Sequence, residues 1–113
     1  MSSRTGRITS LVRMIRRLGR SGRVALLIDG PNVLRREFDV RLDELKRAIQ
    51  DLGKVGVAKV YLNERASDKL LEAIVNSGFT PVVTTADVHI VMAIDAMDLI
   101  LGDTTRMLAI FSR

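Results

Sequence analysis

Four short apolar runs, residues 24–28, 57–62, 79–84 and 107–111, alternate with segments of helical spacing, and this alternation constrains the fold most. A strand, a helix and a second strand close as a right-handed crossover, which makes neighbouring strands parallel. Residues 24–28 are apolar at every position, the pattern of a strand buried on both faces. Leu42, Leu45, Ile49 and Leu52 then recur with helical period before Gly53, a stop signal. Ser67 is placed to cap a second helix, with Leu70, Leu71, Ile74 and Val75 as its buried stripe and Gly78 at its end. Pro81 in "FTPVVT" suits an edge strand, because proline has no amide to donate to a ladder. Asp87 can cap a third helix over Val88–Leu101, closed by Gly102. The expected fold is therefore α/β, a twisted parallel sheet of about four strands with crossover helices.

Charge divides the chain in two. Residues 1–23 contain seven arginines and no acid, leaving 11 basic against 13 acidic side chains in the remaining 90 residues, a balance of −2. Within "ITSLVRMIRRLGR", Ile8, Leu11, Val12, Ile15 and Leu18 have helical spacing, while Arg13, Arg16, Arg17 and Arg20 mostly lie elsewhere. Residues 1–22 are thus expected to form a basic amphipathic helical arm ahead of a domain over residues 23–113. Such an arm can pack on the sheet and solvate its arginines, or neutralise RNA phosphates without reading sequence. A surface-lying membrane helix and an Arg-rich presequence are further readings of the same composition. No apolar run is long enough to span a membrane, and the absence of cysteine fits a reducing, cytoplasmic setting. With three Phe, one Tyr and no Trp, base stacking is a poor candidate for the main mode of nucleic-acid binding.

The stretch "LLIDGPN" places a carboxylate, Asp29, at the end of the first buried strand and breaks the chain immediately after it. Ligands of open parallel sheets bind beyond the carboxyl ends of strands, where strand order reverses. If the first and last strands are neighbours, Asp29 and Ser112 flank that crevice. Asp95 lies inside the apolar "IVMAIDAMDLIL" and needs a partner or a cation. Two carboxylates about 4 Å apart repel by roughly 4 kcal/mol at an effective dielectric near 20. A shared acidic site therefore calls for a proton or a divalent cation, with magnesium or manganese the natural choice for oxygen donors. Simpler readings stand beside these: Asp29 and Asn32 as turn or cap residues, Asp87 as a cap, and Asp98 as a surface group. No G-x-G-x-x-G or P-loop follows the first strand, which disfavours a nucleotide-binding domain.

Together, "VALLIDGPNV" and "VHIVMAIDAMDLI" resemble the NYN domain family of the PIN-like nuclease superfamily, including its archaeal members, over residues 23–113. The resemblance implies a PIN-like parallel α/β sheet and an acidic magnesium- or manganese-binding centre that hydrolyses RNA. It implies that Asp29 is the first metal-directing acid, Asn32 its polar companion on a phosphate or metal-bound water, and Asp95 the helix acid. The family has a further acid six residues before the helix acid, where this chain has His89. A lone histidine at a helix start reads first as a hydrogen-bonded or solvated residue; as a substitute, His89 could ligate manganese or zinc, or contact an RNA phosphate when protonated. An acidic segment normally follows the fourth strand, where this chain ends at Ser112 and Arg113, so the domain is expected to be incomplete there. The expected function is a metal-dependent ribonuclease with RNA as partner, homo-oligomer formation being open. The alternative is an RNA-binding or scaffold module that keeps the fold around a degraded centre.

Overall fold

The computed structural model describes residues 12–18, 22–33, 41–102 and 104–112, with side chains from residue 17 onward except Asn32 and Val33. Its strands are β1 (Val12–Arg17), β2 (Arg23–Asp29), β3 (Val55–Asn63), β4 (Thr80–Thr84) and β5 (Thr105–Phe111). Its helices are the single turn α1 (Gly30–Val33), then α2 (Leu42–Gln50), α3 (Asp68–Asn76) and α4 (Val88–Leu101). The strands form one sheet in the order β1-β5-β2-β3-β4. Strands β2, β3, β4 and β5 run parallel, as their alternation with helices requires. Pro81 lies on β4, which is an edge strand as its missing amide predicts.

The arm departs from expectation. Residues 12–17 are not helical: they form β1, antiparallel to β5, with Arg17 opposite Met107 and Val12 opposite Phe111. An isolated helix of this length is marginal in water, and an acid-free sequence offers its arginines no i,i+4 partners. The open edge of β5 instead supplies a ladder of backbone hydrogen bonds, and this tertiary pairing wins over local spacing. Three of the six β1 residues are arginine, a composition that protects an exposed edge against further strand addition. The expected helical arm over residues 1–11, and Arg20, lie outside the described residues.

Strand β2 divides the interior by alternation. Val24, Leu26 and Ile28 face the layer of α2 and α3, where they meet Leu45, Ile49, Ile74 and Phe111. Ala25 and Leu27 face α4, meeting Tyr61, Met92, Ala96 and Leu108. The period of two therefore directs Asp29 toward the α4 layer as well. Ser67 caps α3 by accepting a hydrogen bond from the Leu70 amide at 3.1 Å. Two members of the expected stripes are exposed. Leu52 lies past the end of α2, and Val75, one residue after the buried Ile74, is turned about 100° away from it.

Candidate active site at the strand ends

Chain order runs outward from β2 through β3 to β4, then returns to β5 on the other side of β2. Strand order thus reverses between β2 and β5, and a crevice opens there beyond the strand ends. Ile28 pairs with Phe111, so Asp29 and Ser112 are the next residues out on either side of that reversal.

Asp29 is only 1% exposed. Burying a carboxylate is costly unless it is paired and hydrogen-bonded. Ser112 Oγ donates to Asp29 Oδ2 at 3.0 Å, and His89 Nε2 lies 2.5 Å from the same oxygen. His89 is the second residue of α4, where Asp87, the cap, accepts from its backbone amide at 2.8 Å. Anchored at both backbone and ring, the imidazole still leaves 62% of its side chain exposed. A buried acid is in this way connected to the surface through one imidazole.

Gly30 explains why the chain breaks directly after the acid. A Cβ at this position would lie 2.5 Å from the Tyr61 carbonyl oxygen and 2.6 Å from Leu62 Cδ2. Only glycine lets the backbone leave β2 so close to β3 and turn into α1. Pro31 follows near the start of that helical turn, where its fixed φ and missing amide are tolerated.

Asp95 has a different setting. Tyr61 Oη donates to Asp95 Oδ2 at 2.7 Å, and Lys59 Nζ lies 3.5 Å from the same oxygen. Burial pushes the Tyr61 phenol far above its ordinary value, and the hydrogen bond to Asp95 and its charge push it further in the same direction. The need of Asp95 for a partner is met by a phenol and an ammonium of β3. Tyr61 is also the strand neighbour of Asp29 in the parallel register.

The residues singled out from the sequence therefore fall into separate groups. Asp29 and His89 are brought together with Ser112; Asp95 is held by Tyr61 and Lys59. Asn32 belongs to α1, but its side chain lies outside the described residues, as do those of Arg13 and Arg16; Arg17 is exposed on β1. Among the described residues, no group of three or more His, Asp or Glu side chains is placed to hold a metal ion. The donors brought together at Asp29 among the described residues include its own carboxylate, one imidazole and one hydroxyl. This set does not fit a hard, octahedral cation, which takes several oxygen ligands at short distance.

A mostly parallel sheet with a buried acid at its switch point defines an α/β domain of the kind that performs chemistry at its strand ends. The profile of the NYN domain matches residues 23–113, which is the sheet from β2 onward with all of its helices. The chain belongs to the NYN domain family, within the PIN-like nucleases. It is 44% identical over 91 residues to the uncharacterized protein MJ0482 of Methanocaldococcus jannaschii. That alignment covers 80% of this chain and 38% of the archaeal protein, so the chain spans less than half of that relative's length. No solved structure matches. PIN-like nucleases generally use divalent metals and act on RNA. No described helix is long and apolar enough to cross a membrane.

Proposed function

We propose that the protein is a ribonuclease whose reaction centre is the cluster of Asp29, His89 and Ser112. The observation that carries this reading is the buried Asp29 at the switch point, bonded to a solvent-facing histidine on α4. In this reading Asp29 fixes the orientation of the imidazole through Nε2, and Ser112 fixes the carboxylate. The exposed edge of His89 then meets an RNA phosphodiester in the crevice, where an imidazole can hold a phosphate oxygen or exchange a proton with it. Asp95, held by Tyr61 and Lys59, lies outside this centre in this reading.

The basic segment supports an RNA substrate. Val12 opposes Phe111, so the chain enters β1 at the same end of the sheet as Asp29 and Ser112. Arg4 and Arg7 precede that entry, while Arg13, Arg16 and Arg17 run along the sheet edge beside β5. Arginines so arranged bind the sugar–phosphate backbone rather than base edges, which makes affinity steeply dependent on salt.

The test is cleavage of end-labelled single-stranded and hairpin RNA with magnesium, with manganese and with EDTA. Cleavage by the wild type and its loss in Asp29→Asn are expected. Cleavage that persists in a correctly folded Asp29→Asn protein would overturn the assignment. One observation favours a second reading, a non-catalytic RNA-binding module: Asp29 and Asp95 are each engaged by protein side chains, and in separate groups. That reading predicts salt-sensitive RNA binding, unchanged by Asp29→Asn, with no cleavage in any arm.

A further inference from the structure

Helix α4 is apolar on both sides. Its inner side, with Met92, Ala96 and Leu99, packs against the sheet. Its outer side carries Ile90, Ile94, Met97 and Leu101, each more than half exposed. The 4-3-4 spacing of these four residues places them within an arc of about 60° and along most of the helix length. Ile100 is exposed on the flank of the same stripe. Asp98 is the charged group of the outer side and sits at its rim, since Asp95 is turned toward Lys59 and Tyr61. A helix facing water carries polar residues on its outer side; one that is apolar all round is normally covered.

From this geometry we infer that the outer face of α4 is the interface of a two-fold dimer, the occupant being α4 of a second copy. The 4-3-4 ridge calls for a partner helix of the same spacing packed nearly antiparallel at 8–10 Å. Among the described helices α4 alone presents such a ridge outward. The exposed positions of α2 include Arg47 and Gln50, and those of α3 include Lys69, Glu72 and Asn76. Area agrees. The stripe exposes on the order of 500 Å², at the upper end of what an ordinary monomer leaves uncovered. Closing two such stripes on each other removes about 1,000 Å², the threshold of a specific interface. No like charges meet along the seam, although the chain carries a net charge of +5. Antiparallel pairing of the 14-residue helices sets the two Asp29–His89 clusters at opposite ends of a seam about 21 Å long. Each crevice then stays open to its own RNA strand.

Sedimentation equilibrium of the 113-residue chain and of an Ile94→Lys/Met97→Lys variant tests the inference. A wild-type dimer at about 50 µM is expected, with the variant at half that mass and an unchanged helical circular dichroism signal. Because the chain has no cysteine, a Met97→Cys variant serves as a second reporter. On mild oxidation it should give a covalent dimer, whereas Val75→Cys, exposed on α3, should not. A monomeric wild type would overturn the inference, because a segment of the same chain, or a different partner, would then be what covers α4. A dimer that survives the double lysine substitution would overturn it equally.

Discussion

Raising the pH above about 10 should destabilise this protein through Tyr61. The chain has one tyrosine and no tryptophan, so its phenolate absorbance reports a single residue. Tyr61 is fully buried, and its phenol is held in the protonated form first by burial, then by its hydrogen bond to Asp95 and by the charge of that acid. In the unfolded chain the phenol ionises near its ordinary value of about 10. Below that pH both states carry the proton, and the contribution of Tyr61 to stability is fully present. Above it the unfolded chain releases a proton that the folded chain retains, so stability falls by about 1.4 kcal/mol for each further pH unit. By pH 12 the loss is about 2.7 kcal/mol, a large share of the 5–15 kcal/mol typical of a domain. A pH ramp with phenolate absorbance and far-ultraviolet circular dichroism recorded together is the assay. Phenolate should appear only as the dichroism signal collapses, both in one transition. Replacing Asp95 with Asn should shift that transition only modestly, because burial, the first cause, remains. A phenol that titrates near pH 10 with the dichroism signal intact would refute the reasoning.

Three stability predictions test the packing. Leu45→Ala removes a fully buried side chain between α2 and the sheet and should cost about 2–5 kcal/mol, read as a shift in urea midpoint. Gly30→Ala drives a methyl group into the Tyr61 carbonyl and Leu62 and should cost about 1–3 kcal/mol by the same measurement. Ser67→Ala removes the cap of α3 and should lower stability by about 1 kcal/mol, a fall in Tm of about 4–8 °C in a thermal scan.

Much of the fold was legible because its signals are local and redundant. Five successive apolar residues before Asp29, helical spacing from Leu42, a cap at Ser67 and a proline in "FTPVVT" each specify an element, and each agrees with its neighbours. That β2 and β5 are neighbours entered the sequence reading only as a condition; the strand order meets it, and Asp29 and Ser112 therefore flank one crevice. Residues 12–17 were misread because their spacing suits a helix and only the free edge of β5, distant in sequence, makes them a strand. The partners of the acids were hidden for a related reason. That Asp95 needed a partner was visible in its apolar surroundings; that the partners are Tyr61 and Lys59 depends on which β3 residues face α4. Tyr61 carried no such signal in the sequence, because its place opposite Asp29 on the same face comes from the strand register. For His89 the sequence allowed a hydrogen-bonded residue at a helix start or a substituted metal ligand, and the structure shows its ring nitrogen against Asp29, a partner sixty residues away that spacing could not name.

The central claim is that one buried acid, acting through one surface imidazole, makes the reaction centre, while the second acid serves a separate network. Its most direct measurement is the single-turnover rate of RNA cleavage by Asp29→Asn and Asp95→Asn proteins, each verified as folded, against wild type in the same buffer. The account predicts a loss of at least about 100-fold for Asp29→Asn, the scale of a removed acid–base group, and a loss within about tenfold for Asp95→Asn. Equal losses in the two variants would contradict it, because they would mean that both carboxylates serve one centre.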